Sequence, residues 1–165
     1  MAEIKLKGNP IHTIDELPAV GLKAPDFVLT GVDLSDKTLS EFNGKRVILN
    51  VFPSVDTPVC AASVRRFNQE ASNLENTIVL CISADLPFAH SRFCGAEGLN
   101  NVISLSSFRS NFAEAYGLKI VDGPMAGLTA RAVLIVNEDG HIAYHELVPE
   151  IAQEPDYEKA LSVLR

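Results

Sequence analysis

The sequence predicts a single α/β domain built on a mixed sheet, and three observations predict it. The runs Arg46–Phe52, Thr77–Ser83 and Ala132–Val136 are nearly continuous in apolar residues, the character of strands buried on both faces. Between them lie segments whose apolar residues recur at helical spacing, and buried strands alternating with helices define an α/β domain. After the turn Asn137–Gly140 a further strand returns as a hairpin, which adds antiparallel pairing.

The elements follow in order. Ile4 and Leu6 alternate with Lys5 and Lys7, Gly8-Asn9-Pro10 turns the chain, and Ile11–Ile14 returns, so residues 1–17 are expected to form an N-terminal β-hairpin extension. Asp26–Thr30 is a short strand unit, and Arg46–Phe52 is a core strand bounded by Gly44 and Pro53. Thr57-Pro58 opens a helix with Val64, Phe67, Ala71 and Leu74 on one face. Asp85-Leu86-Pro87 opens a second helix that reaches Phe93, with Gly95 beyond it, and Val102–Leu105 fits a shorter strand. Ser107 precedes a helix over Phe108–Tyr116, stopped by Gly117. Ile142, Tyr144, Glu146 and Val148 are expected on one side of the returning strand. Pro155 begins a closing helix that carries Tyr157, Leu161 and Leu164.

Length and composition narrow the classes of function. A chain of 165 residues is about one domain, here residues 1–165, and can bury roughly 70% of its unfolded surface without a metal or disulfide staple. Apolar residues at 47% and charged residues at 21% exclude a disordered chain. A net charge of −7 argues against nucleic acid and against anionic lipid as partners. No apolar stretch approaches a membrane span, and the opening Met-Ala-Glu-Ile-Lys-Leu-Lys-Gly has no apolar signal segment, so a cytoplasmic location is expected. The three cysteines, Cys60, Cys81 and Cys94, cannot form a fully paired framework within one chain. In a reducing compartment such thiols are core residues, metal ligands or redox groups.

Cys60 is the thiol placed to react. The core strand ends at Phe52, Pro53 stops the ladder for want of an N–H, Thr57 suits an N-cap and Pro58 the first helical position. Cys60 then falls in the first helical turn, where free amides and the positive end of the macrodipole favour thiolate, the nucleophilic form. Its neighbours have plainer readings of their own. Thr57 read alone is a cap, Pro53 a strand terminator and Arg131 a solvated strand-end charge. Arg65 and Arg66 are expected in solvent.

Pro53-x-x-x-Thr57-x-x-Cys60 resembles the signature of the peroxiredoxins. The stretch Asn50–Phe67, Cys81-Ile-Ser-Ala-Asp-Leu-Pro-Phe-Ala and Ser91-Arg-Phe-Cys-Gly-Ala-Glu-Gly-Leu-Asn-Asn-Val look like the bacterial thiol peroxidase subfamily, over essentially the whole chain. The resemblance implies a thioredoxin-like fold and a thiol-dependent peroxidase for hydrogen peroxide and alkyl hydroperoxides, with alkyl substrates preferred. It makes Cys60 the peroxidatic cysteine, oxidised to a sulfenic acid, and Cys94 the resolving cysteine of an intramolecular Cys60–Cys94 disulfide. Thr57 would hydrogen-bond thiolate and peroxide, Pro53 would shield the pocket, and Arg131 would supply a fixed cation. Thioredoxin is the implied reductant and a homodimer the implied assembly. No metal, flavin or haem is implied.

Cys94, at a predicted helix end, suits a thiol that must move. A disulfide needs Cβ atoms about 3.8 Å apart, so the turn after Pro58, the segment around Cys94, or both are expected to unwind on oxidation. Cys81 lies mid-strand among apolar residues and reads as core. His90-x-x-x-Cys94 has usable spacing for zinc, but no Cys-x-x-Cys supplies the other half. Cys60-Ala-Ala-Ser63 keeps a disulfide reductase as the nearest enzyme alternative. A thiol-based redox sensor or holdase is the non-enzyme one. Gly123–Gly127 is a turn-rich loop, and the four histidines have no assigned role.

Overall fold

The computed structural model describes residues 1–165. The chain runs β1 (Glu3–Leu6), β2 (Asn9–His12), β3 (Val28–Gly31), β4 (Asp36–Thr38), β5 (Arg46–Val51), α1 (Pro58–Ala71), β6 (Thr77–Ser83), α2 (Pro87–Glu97), β7 (Ile103–Ser106), α3 (Phe112–Ala115), β8 (Ala132–Val136), β9 (Ile142–Leu147) and α4 (Tyr157–Ser162). β1 and β2 pair as a separate hairpin, and the other seven strands form one sheet in the order β4-β3-β7-β6-β5-β8-β9. β5, β6 and β7 are parallel while the remaining pairings are antiparallel, so the sheet is mixed as the sequence predicts.

Alternation along β5 shows how the sheet divides its two cores. Val47, Leu49 and Val51 enter a cluster with Phe27, Phe112, Tyr116 and the hairpin residues Ile4 and Ile11. Ile48 and Phe52 face the other way, toward Cys60, Val64 and Phe67 of α1, Phe93 of α2 and Leu164 after α4. A two-residue side-chain period produces this split, and the apolar stripes of α1 and α4 close the second face. The hairpin extension is fastened to the domain by backbone bonds from Lys5 N–H to Pro149 O (2.8 Å) and from Ile151 N–H to Lys5 O (2.9 Å). Gly117 has a positive φ of 70°, and a Cβ there would sit 2.2 Å from the Glu16 carbonyl oxygen, so only glycine allows this approach.

Several boundaries differ from the sequence reading. The hairpin turns at Lys7-Gly8, both with positive φ, and β2 starts at Asn9. β4 leaves no hydrophobic signal in the sequence, because Asp36-Lys-Thr38 is a short polar edge strand. The helix expected over Phe108–Tyr116 is only Phe112–Ala115, because Ser107–Ser110 form a turn and the Ser110 hydroxyl caps the Phe112 amide. α2 continues through Gly95 to Glu97 and ends at Gly98, whose φ of 66° supplies the left-handed cap. Ile142 and Tyr144 lie on opposite faces, since a bulge between Ile135 and Val136 shifts the register of β9.

Candidate active site

Phe52 leaves β5 with its amide on Ile82 O (3.1 Å) and its carbonyl accepting the Thr129 hydroxyl (2.7 Å). Pro53, also buried, then ends the ladder. The chain turns through Ser54–Thr57 and enters α1, where Cys60 is fully buried. Pro58 has no N–H, Ala61 N–H bonds Thr57 O (3.0 Å), and no acceptor within the protein meets the amides of Val59 and Cys60. The first-turn donors beside Cys60 are thus free, as a helix N-terminus leaves them.

Thr57 occupies the N-cap in extended conformation, but its hydroxyl caps nothing. It donates to Ser54 O (3.1 Å). Its lone pairs therefore stay available, which removes the conflict between capping and binding that the sequence leaves open.

Arg131 departs most from its plain sequence reading. It is 2% exposed, immediately before β8, where the next residue Ala132 pairs with Val51 at the end of β5. Its Nε donates to Ile151 O (2.8 Å) while Nη1 has no partner within the protein. A buried guanidinium with a spare donor is a costly arrangement unless something uses it. Arg65 and Arg66, by contrast, are on the surface as expected, paired with Glu97 and with Glu70 and Glu158.

Cys94 is half-buried in the last turns of α2, and its Sγ lies 3.1 Å from Ser104 Oγ on β7. Asn50, Cys81 and Ser104 stand level across β5, β6 and β7. With strands about 4.8 Å apart, the Cys94 thiol is tethered roughly 10 Å across the sheet from β5. Cys81 is fully buried, and burial pushes its thiol up to about 12. Three surface hollows of about 390, 620 and 420 Å³ are open, and none is lined by Cys60. The 420 Å³ hollow includes Cys94, Ser104 and Lys37.

A cluster that sequence reading passes over lies beside the Cys60 loop. The Asp85 carboxylate accepts Ser54 Oγ (2.7 Å), Val55 N–H (2.9 Å) and the Ser83 hydroxyl. Ser83 Oγ is also 3.1 Å from His90 Nε2. The Ser83 proton goes to Asp85, so His90 donates from Nε2 and is the Nε2–H tautomer. Its Nδ1 is buried without a partner. Burial lowers the His90 pKa, against a smaller opposing pull from Asp85, and the ring stays neutral. The only sequence signal was an aspartate between a core strand and Pro87, which reads as a helix opening.

Residues 19–161 match the Redoxin family model. A thiol peroxidase of Mycobacterium bovis is 60% identical over 164 residues, 99% of each chain. A crystal structure of a peroxiredoxin-like protein from Aquifex aeolicus superposes with a TM-score of 0.94 at 37% identity, covering 98% of this chain and 95% of that one. A thiol peroxidase structure from Chromobacterium violaceum shares the fold at 21% identity, with a TM-score of 0.91 over 98% of this chain and 94% of its own.

Proposed function

The chain belongs to the redoxin family and is a thiol peroxidase of thioredoxin-like fold, and on that premise we propose that Cys60 is the thiol that reacts with peroxide. The observation that carries this is its place in the first turn of α1, beside unpaired amides and after the Pro53–Thr57 loop. The Cys60 thiolate attacks the terminal peroxide oxygen. The O–O bond breaks, the departing oxygen takes a proton and leaves as water or alcohol, and sulfur becomes a sulfenic acid. Thr57 Oγ1, its own proton directed at Ser54 O, accepts from the peroxide O–H. Arg131 offers its free Nη1 to the charge on the departing oxygen. Pro53 and Phe52 keep water out of the pocket. The buried site favours a slender peroxide group on a hydrogen or alkyl carrier.

Cys94 then attacks the Cys60 sulfenic sulfur, forming the disulfide and releasing water. The dithiol of thioredoxin reduces that disulfide and returns both thiols. Because Cys94 is held over β7, the end of α2, the first turn of α1, or both unwind for this step. The chain is one domain over residues 1–165 with residues 1–17 as an extension, and it works in the cytoplasm as a homodimer. No helix is long and apolar enough to cross a membrane.

Peroxide-dependent oxidation of thioredoxin by wild type, Cys60→Ser and Cys94→Ser tests the reading. Cys60→Ser is expected to lose turnover by at least a thousandfold, and Cys94→Ser to stall after one equivalent of peroxide. Full activity in Cys60→Ser overturns it. Wild type that stops near stoichiometric oxidation points to a sensor, and disulfide reduction without peroxide turnover points to a reductase.

A further inference from the structure

We propose that Asp85 is a positioning residue for peroxide reduction, acting through Ser54 on the Pro53–Thr57 loop; this rests on Cys60 being the reacting thiol. Ser54 is the hub of the turn that delivers Thr57 and Cys60. Its hydroxyl donates to Asp85 Oδ1 (2.7 Å) and accepts from Asp56 N–H (3.1 Å). Its carbonyl accepts both the amide (3.3 Å) and the hydroxyl (3.1 Å) of Thr57. Asp85 Oδ2 meanwhile takes the next amide, Val55 N–H (2.9 Å). One carboxylate therefore fixes two successive residues, and through Ser54 it sets where the Thr57 hydroxyl points.

Asp85 is held in turn from behind. Its Oδ2 accepts the Ser83 hydroxyl, Ser83 is held by His90, and its backbone carbonyl accepts the Ser106 hydroxyl from the end of β7. These partners sit on β6, α2 and β7, so the loop is referenced to three packed elements. A carboxylate is needed because every group aimed at it is a donor. An amide in its place sets its NH₂ against Val55 N–H and the Ser83 hydroxyl, or against Ser54 Oγ, whose proton must then turn away from residue 85.

The position of Cys60 itself has a separate support. Ala61, Val64 and Phe67 seat α1 in the core beneath the sheet. Loss of the Asp85 contact thus moves the peroxide-facing loop while the thiol remains at the helix start. The signature is a divergence between two reactions of one sulfur. Peroxide reduction depends on Thr57 meeting the incoming oxygen, whereas iodoacetamide brings no O–H for Thr57 to accept and its alkylation depends on the thiolate and on access to it.

The test measures the second-order rate constant of Cys60 with hydrogen peroxide, by competition with a haem peroxidase. It is set beside the rate of Cys60 alkylation by iodoacetamide, read by peptide mass spectrometry. Asp85→Asn is expected to slow peroxide reduction at least tenfold with alkylation unchanged within twofold. Ser54→Ala is expected to do the same, and the double variant to be no slower than Asp85→Asn alone. Should Asp85→Asn fail to fold by circular dichroism, Ser54→Ala decides by the same criteria. A folded variant whose peroxide rate stays within twofold of wild type overturns the proposal, even if it melts earlier. So does a parallel fall in both reactions. Cys60→Ser is run alongside: peroxide reactivity that survives there sinks the assignment of Cys60 itself, independently of Asp85.

Discussion

α1 and α2 lie on the same face of the sheet, each carries one of the two candidate redox cysteines, and they are anchored by different forces. α1 puts Cys60, Ala61, Ser63, Val64 and Phe67 into the core, a continuous stripe over two turns. Its entry loop is fixed by Asp85. α2 buries Pro87, His90 and Phe93, all in its first two turns. Beyond Phe93 it is held by the Cys94–Ser104 contact and by exposed ion pairing of Glu97 with Arg65. Gly95 contributes no side chain, and a Cβ there would meet nothing within 4 Å. Surface ion pairs add little against solvent and salt. The start of α1 is thus firmly seated and the end of α2 lightly held, so the end of α2 is the cheaper segment to unwind for the disulfide proposed above.

Three measurements test how differently the two helices are held. The largest effect is expected in the cores of the two helices. Phe67→Ala should cost about 3–5 kcal/mol in urea unfolding, the usual range for a fully buried phenylalanine. Phe93→Ala, at a site that is already 8% exposed, should cost less. Equal losses would show that α2 is seated as firmly as α1. Next comes Gly95→Ala, which adds about 0.5–1 kcal/mol of helix stability without a clash. If disulfide closure unwinds the end of α2, this variant should form the Cys60–Cys94 disulfide roughly two- to fivefold more slowly, as that energy converts to rate. It should also over-oxidise at lower peroxide. An unchanged closure rate places the unwinding in α1 instead.

The smallest effect is the pH dependence of the α2 anchor. His90 has a folded pKa below its ordinary 6.5, mainly from burial. The unfolded chain therefore binds a proton first as the medium is acidified. The stability that goes with neutral His90 is present above pH 6.5, falls as pH drops below it, and is lost progressively down to the folded value. Wild type should show this loss in urea melts between pH 7 and 5, and His90→Gln should show a flatter slope. Identical slopes would remove His90 from the anchor.

Legibility in the sequence follows the range of the interaction. The strands Arg46–Phe52, Thr77–Ser83 and Ala132–Val136 were plain from composition, and the structure places β5, β6 and β8 there within a residue. Cys60 at a helix start was readable from Pro53, Thr57 and Pro58 in one short stretch. Thr57 reads from sequence as a hydroxyl cap, yet in the fold it holds the N-cap position with its hydroxyl on Ser54 O, because which acceptor its proton finds depends on how the Ser54 turn is held. α2 runs on past the end at Phe93 that the sequence predicts, because Gly98 and not Gly95 takes the left-handed conformation that stops it.

Local sequence is enough for the order of elements apart from β4, for the split of β5 between two cores and for the turn chemistry that puts Cys60 in a first helical turn. Each is set by neighbours within a few residues, where side-chain period and backbone preference act directly. Tertiary structure alone decided that Arg131 is buried with a spare donor, that Cys94 leans on Ser104, that Ile142 and Tyr144 part company at a bulge, and that Asp85 holds Ser54 across 31 positions of chain. The physical reason is that a buried charge or hydroxyl goes where a partner can satisfy it. Those partners sit on other strands, and only the folded sheet brings them within reach.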